Sequence, residues 1–184
     1  MRSILTRPNK FSMKWHGYYK NRNKVVDFVP EVETLMEKEN VLKAENVLPF
    51  MLAGNALMTF KSNKTGDHFT YQINAPKMQR DEENPVYFVK VRSGHNARWV
   101  DLGMIFKNPV PTFRLKKGCE HKPTAKSVLA FDFLIRQLNK GSEGFKTLDT
   151  LTTIYHAGLC GKCGRTLTNP ESISVGLGPI CAAG

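Results

Sequence analysis

Apolar and polar residues alternate from about residue 50 to residue 115, and a period of two predicts half-buried β-strands. The apolar positions of the first two segments are Ala56, Met58, Phe60, Phe69, Tyr71 and Ile73. The intervening turn at 63–67 predicts a hairpin, and further strands are expected at 86–92, 98–106 and 110–115. The result is an antiparallel β-meander of about five strands, which could close into a barrel of the oligonucleotide-binding type.

Downstream of the meander the spacing changes to that of an amphipathic helix. Its apolar face is formed by Val128, Phe131, Leu134, Ile135 and Leu138. Thr124 as N-cap and Gly141 as a stop predict a core helix at about 124–140. A shorter acidic helix is predicted at about 31–43, and residues 142–147 are predicted to be a linker. We therefore predict an α+β fold in which the core helix packs on the sheet.

The C-terminal segment contains one histidine and three cysteines at metal-ligand spacing: His156, Cys160, Cys163 and Cys181. Two cysteines separated by two residues can hold one metal ion from a tight turn, and Gly161 and Gly164 would relax the backbone there. A closed set of three thiolates and one imidazole is typical of structural zinc and leaves no open position for catalysis. We therefore predict a Zn²⁺ site in a small module whose folding free energy comes largely from the metal.

The segment between Cys163 and Cys181 also carries helix signals. Asn169 is a favourable N-cap, Pro170 suits the first helical position, and Gly176 is a favourable stop. One or two helical turns are predicted here. A turn of the chain beyond them would then return Cys181 to the other two cysteines.

Alternatives stay open for the cysteines. Cys119 or His121, which lie in a basic loop, could replace His156 as the fourth ligand. A C-x2-C pair can also be a redox pair. A disulfide framework is disfavoured, because the cysteines are few and the sequence shows no secretory signal peptide.

The same segment resembles a C-terminal zinc-binding domain found in uncharacterised phage and prophage proteins. The pattern of that family runs H-x3-C-x2-C-G-R-x-L-T-x-P-x-S-I and ends in G-x-G-P-x-C, and this chain has those residues at 156–173 and 176–181. The stretch at 54–73 also resembles the domain that often precedes it. The resemblance implies a virus-encoded protein of the host cytoplasm, and it implies no activity.

The chain is strongly basic, with a formal charge of +11 at pH 7 and a pI near 9.6. Such a balance favours nucleic acid or another acidic surface as the partner, although a merely soluble basic protein would show it too. No apolar run approaches the roughly 20 residues of a membrane span, so no membrane partner is expected, and we predict a cytoplasmic protein. We divide the chain into a basic arm at 1–25, an α+β core at 26–147 and a zinc-binding module at 148–184.

Cations and aromatic rings are interleaved in the arm, which contains no acidic residue. This combination suits a phosphate backbone with stacked bases. The candidate nucleic-acid contacts are Lys14, Trp15, Tyr18, Tyr19 and Arg22 in the arm, and Lys61, Lys64, Lys90, Arg92 and Arg98 on the predicted sheet. The aromatic residues could equally pack the arm onto the main domain.

The titratable residues do not converge on an evident catalytic site. Asp101 with Arg98 and His95 is the nearest approach to one, and such a trio is more typical of a turn. We therefore expect no enzymatic activity and predict a phage-encoded accessory protein that binds nucleic acid, with single-stranded DNA preferred. Two alternatives stay open: an inhibitor of a host defence system, with a host or phage protein as partner, and a small enzyme whose site the sequence does not reveal.

Deleting residues 1–25 should weaken nucleic-acid binding and flatten its salt dependence, because phosphate contacts release counterions. Trp15→Ala should weaken single-strand binding more than duplex binding, since only unpaired bases can stack on the indole. Mobility shifts at two salt concentrations measure both effects. If the arm only packs on the domain, the deletion will instead lower the thermal unfolding temperature and leave the affinity unchanged.

Overall fold

Seven antiparallel strands form one open sheet in the part of the chain that the structure, a computed structural model, describes: residues 40–76, 84–94 and 98–183. The strands are β1 Val41–Leu42, β2 Asn55–Ser62, β3 His68–Asn74, β4 Val86–Ser93, β5 Arg98–Phe106, β6 Thr112–Leu115 and β7 Thr152–His156. Their order across the sheet is β1-β7-β2-β3-β4-β5-β6. The predicted arm lies outside the described residues. So does the acidic helix predicted at 31–43, except at its end, where β1 forms instead.

The predicted five-stranded meander is confirmed as β2 to β6, but the prediction that it could close into a barrel is wrong. β1 and β6 lie at opposite edges of the sheet and are not paired with each other. β7 comes late in the chain, yet it pairs with β1 on one side and with β2 on the other. Thr152, Ile154 and His156 point into the core from β7. Residues 152–156 of the predicted zinc-binding module therefore form a strand of the sheet.

Five helices accompany the sheet in the described residues: α1 Ala44–Met51, α2 Lys126–Leu138, α3 Ser142–Leu151, α4 Pro170–Val175 and α5 Pro179–Ala182. α2 is the predicted core helix, although it lacks the predicted Thr124 cap. The prediction of a linker at 142–147 is wrong, because these residues belong to α3. Leu148 of this helix is buried, and the helix packs against α2. Gly144 is needed for that packing, since a Cβ there would lie 1.8 Å from the Gln137 carbonyl oxygen. Within the described ranges, no helix is long and apolar enough to cross a membrane.

Helix α2 covers one face of the sheet, here called the inner face, through a cluster of aromatic rings. The Phe131 ring centroid lies 4.8 Å from that of Tyr71 and 4.9 Å from that of Phe113. The Tyr71 hydroxyl donates a 2.7 Å hydrogen bond to the Ser127 carbonyl oxygen, so its polar tip is satisfied while the ring stays buried. Further inner-face side chains, all buried, are Ala56, Met58, Ile73, Val89, Leu102 and Ile105.

Phe131→Ala should lower the free energy of unfolding by about 3–5 kcal/mol, because it leaves a cavity between two other rings. Leu129 lies on the same helix and is 50% exposed. Leu129→Ala is therefore the matched control, with an expected change below about 0.5 kcal/mol. Urea denaturation followed by circular dichroism compares the two variants. Equal losses would contradict the packing of α2 described above.

Candidate metal centre and sheet surface

Three of the four predicted metal ligands come together beside the start of β2. The thiol sulfurs of Cys160, Cys163 and Cys181 all lie within 4.8 Å of one another. A tetrahedral zinc ion with bonds of about 2.3 Å to sulfur needs sulfurs about 3.8 Å apart. The three thiols therefore surround a space that one metal ion could occupy after a small adjustment.

A tight hairpin holds the first two cysteines. The Cys160 N–H donates a 2.8 Å hydrogen bond to the Arg165 carbonyl oxygen, and the Gly164 N–H donates one of 2.9 Å to the Cys160 carbonyl oxygen. Gly164 has a φ of +72°, in the region that favours glycine, as the sequence predicts for this turn. Cys163 is exposed at the tip of the hairpin and Cys160 is buried beneath it.

The helix predicted after this hairpin is confirmed as α4. The Asn169 side chain caps it by accepting a 2.9 Å hydrogen bond from a backbone N–H of the first turn, and Gly176 ends it with a φ of +76°. α5 then carries Cys181 back to the hairpin. The Gly178 N–H, just before α5, donates a 3.4 Å hydrogen bond to the Cys160 sulfur.

The thiols differ in acidity in a way that favours a cation between them. Burial raises the pKa of Cys160, but hydrogen bonds from the backbone of Cys163, Gly178 and Lys162 outweigh it and bring the pKa to about 7. A hydrogen bond with Cys163, together with burial and the charge of Cys160, raises the pKa of Cys181 to about 11. One thiolate forms readily while Cys181 resists a second negative charge, and a bound metal ion would remove that repulsion.

His156 is not part of the three-cysteine cluster. Its ring is fully buried, with its centroid 5.8 Å from that of Phe50. Nδ1 accepts a 3.1 Å hydrogen bond from the Gly158 N–H, whereas Nε2 makes no hydrogen bond to the described residues. Burial lowers the pKa of His156 and favours the neutral ring, which is the form that binds metals. Because Nδ1 accepts a hydrogen bond, the neutral ring carries its proton on Nε2 and would have to move it to Nδ1 before Nε2 could bind an ion. His156 as the fourth ligand stays a prediction.

The alternative ligands Cys119 and His121 lie in another part of the molecule. The Cys119 thiol donates a 3.3 Å hydrogen bond to the Asp101 carbonyl oxygen. The two ring nitrogens of His121 are hydrogen-bonded to the hydroxyls of Ser127, at 2.7 Å, and Ser93, at 3.2 Å. These bonds tie the basic loop to β4, β5 and α2, and neither residue joins the cysteine cluster.

Phe50 on α1 joins the cysteine segment to the rest of the fold. Its ring lies so close to Gly161 and Gly176 that a Cβ would come within 2.7 Å of it at the first glycine and 2.5 Å at the second. The Asn55 N–H at the start of β2 also donates a 2.7 Å hydrogen bond to the Gly161 carbonyl oxygen. Gly161 therefore serves close packing, which the sequence pattern does not reveal. The candidate metal centre and the sheet share one core.

The predicted nucleic-acid contacts fall into three groups. Lys61, Lys90 and Arg92 alternate along β2 and β4 with inner-face residues, so they lie on the opposite side of the sheet, here called the outer face. Lys64 and Arg98 lie elsewhere, in the β2–β3 turn and at the start of β5. The third group lies outside the described residues: Lys14, Trp15, Tyr18, Tyr19 and Arg22.

The trio of Asp101, Arg98 and His95 is not assembled in the described residues. Arg98 is ion-paired with Glu120, and His95 falls outside the described ranges. Asp101 accepts a 2.9 Å hydrogen bond from Lys116, which holds the pKa of that carboxyl below its usual value. Asp101 is thus engaged in ion pairing on the outer face.

Sequence reasoning missed the large apolar side chains of the outer face. Phe88 is 45% exposed on β4, and the register places Met104 of β5 beside it. The guanidinium of Arg114 lies 4.9 Å from the centre of the Phe106 ring. The sequence of β4 contains a pattern that predicts this position. Phe88 and Lys90 alternate with the buried valines, so Phe88 should lie on the same face as Lys90.

Comparison with known proteins identifies only the C-terminal segment. Residues 151–184 match a family of unknown function (DUF6011). No curated protein and no solved structure matches the chain. The matched range includes β7 as well as the three clustered cysteines. The segment similar to this family therefore contributes a strand to the sheet in addition to the candidate metal centre.

We expect the purified protein to carry about one metal ion per chain, and Cys163→Ser to lose it. Cys119→Ser removes a thiol outside the cluster and is the matched control, with full metal content expected. Plasma mass spectrometry measures the metal. Because Phe50 couples the segment to the sheet, metal loss should also lower the thermal unfolding temperature of the whole domain. Metal retained by Cys163→Ser, or lost by Cys119→Ser, would contradict this site.

Metal content measured after exposure to a competing chelator, for His156→Gln and for the natural protein, tests whether His156 is the fourth ligand. If Nε2 binds the ion, this variant should release metal to a competing chelator more readily than the natural protein does. Unchanged release would remove His156 from the ligand set.

Proposed function

We propose that this protein is a phage-encoded accessory protein that binds single-stranded nucleic acid, with DNA preferred, on the outer face of its sheet. The observation that carries the proposal is the combination of cations with the exposed ring of Phe88 on that face. In the described residues, its basic side chains on the strands are Lys61, Lys90, Arg92 and Arg114. The acidic side chain there is Asp101, which pairs with Lys116 and Lys90.

The rings and cations lie in rows that cross the strands. One row runs through directly paired residues, from Asn74 on β3 to Phe88, Met104 and Arg114. Adjacent strands are about 4.8 Å apart, so each row places its side chains within reach of one extended ligand. Cations in such a row would contact phosphates, and rings would contact bases.

The exposed ring favours single strands over duplexes. A base that is paired and stacked within a duplex does not offer its face to Phe88, whereas an unpaired base does. Open sheets whose aromatic side chains stack unpaired bases are an established mode of RNA recognition. The same chemistry applies to single-stranded DNA, for which every base has a ring face.

The proposal includes Zn²⁺ as the resident metal with a structural role. Cys160, Cys163 and Cys181 supply soft thiolates, and a neutral His156 would complete a closed tetrahedral set. Clustered cysteines in the reducing host cytoplasm bind metal rather than form disulfides. The phage origin is supported by the resemblance of residues 156–181 to a domain of phage and prophage proteins.

Lys61→Ala combined with Lys90→Ala should weaken binding to a labelled single strand and reduce its salt slope by up to about two, one for each lost phosphate contact. Lys140→Ala with Lys146→Ala is the matched control, because it removes the same charge from the helical layer. Fluorescence anisotropy at two salt concentrations, with single- and double-stranded DNA and RNA, measures the effect. Absence of binding to any nucleic acid at low salt would reject the proposal and favour a protein partner.

A further inference from the structure

We infer that a notch on the outer face, beside a β-bulge in β5, takes one unpaired nucleotide, with its base against Phe88 and its phosphate on two lysines. The inference rests on the proposed function and names the subsite at which that function discriminates single strands. Strands β4 and β5 change register at this point, since Val89 pairs with Gly103 while Lys90 pairs with Asp101. Leu102 is the extra residue, and bulges of this kind often re-aim side chains beside functional sites.

The bulge places two successive residues of β5 on the inner face. In regular alternation every second residue of β5 would point outward, but Leu102 and Gly103 are both buried. Asp101 and Met104 are therefore successive outer-face residues, opposite Lys90 and Phe88 of β4. Gly103 is required at this point, because a Cβ would lie 2.2 Å from the Arg114 carbonyl oxygen. The concavity lined by these residues has a volume of about 420 Å³, within the range of small-ligand sites.

The walls of the notch provide the groups that a nucleotide needs. Phe88 is 45% exposed and supplies a ring for stacking. Opposite it, the amino group of Lys116 lies 2.9 Å and that of Lys90 lies 3.9 Å from the carboxylate oxygens of Asp101. An ammonium group has three N–H donors. Each lysine can therefore pair with Asp101, which fixes its position, and still donate hydrogen bonds to a phosphate. Asn74, paired with Phe88 across the strands, can hydrogen-bond a base edge.

This arrangement accounts for single-strand preference in physical terms. Phosphate attraction alone would not separate single strands from duplexes, because both carry the same group. The Phe88 ring can stack only with a base that has left its own stack, which costs least when the base is unpaired. The Phe88 ring is therefore the part of the outer face that discriminates, and the lysines supply affinity.

The test uses a labelled oligothymidine of about 12 nucleotides and an abasic strand of the same length. In fluorescence anisotropy, Phe88→Ala should weaken oligothymidine binding about tenfold and leave abasic binding unchanged, because that strand has no base to stack. Phe106→Ala is the matched control, since this ring lies on the outer face beneath Arg114 and outside the notch. Its effect should stay below about twofold. Thermal unfolding first verifies that each variant keeps the fold.

Phe88→Trp supplies a second measurement that does not depend on affinity. Its added fluorescence, taken as the difference from the natural protein, should fall when oligothymidine binds and stay constant with the abasic strand. Equal binding of both strands, with no effect of Phe88→Ala and no quenching, would overturn the notch while leaving the proposed function standing. Failure of the natural protein to bind either strand at low salt would overturn both.

Discussion

The pairing of β7 with β2 is the interaction on which the rest of the structure depends. Five residue pairs, from Met58 opposite His156 to Ser62 opposite Thr152, join a strand near the end of the chain to the first strand of the meander. The C-x2-C turn begins four residues after β7 ends, so this pairing decides where Cys160 lies. The hydrogen bond from Asn55 to Gly161 then fixes the hairpin against the sheet. Backbone hydrogen bonds therefore position two of the candidate metal ligands independently of any ion.

The candidate metal centre and the domain core stabilise each other through Phe50. Glycines at 161 and 176 allow backbone to pack directly on this ring, and His156 lies on the same ring from β7. In small metal-binding units the ion usually supplies folding free energy that the apolar core cannot. Here part of that core belongs to α1 and β7, so the unit does not have to bury its apolar surface alone. Loss of an ion bound at this centre would consequently affect more than the C-terminal tail.

The period of two allows one set of strands to serve two purposes. On β4, the valines at 89 and 91 are buried in the core, while Phe88, Lys90 and Arg92 lie on the outer face. β5 departs from this rule at Leu102, where two successive residues are buried and the register with β4 shifts. The inner face is constrained by packing density, whereas Phe88 on the outer face is 45% exposed.

The sequence by itself determined the elements whose signals are local. Alternation predicts β2 to β6, helical spacing predicts α2, and Asn169 with Gly176 predicts α4, because each pattern is contained within one element. The spacing of the three cysteines likewise predicts their cluster, since two are joined by a tight turn and the third by a short helical segment.

Only the tertiary structure decided which distant segments meet. β7 has too few residues for an apolar–polar alternation to show that it pairs with β2, some ninety positions away. In the sequence Gly144 looks like a loop residue, although it allows α2 and α3 to pack closely. The bulge in β5 is a register shift between β4 and β5, and register is set by pairing across strands rather than by composition. The place of His156 outside the cysteine cluster follows from the same cause. Its position is set by β7 in the sheet, whereas Cys160 and Cys163 are set by the hairpin and Cys181 by α5.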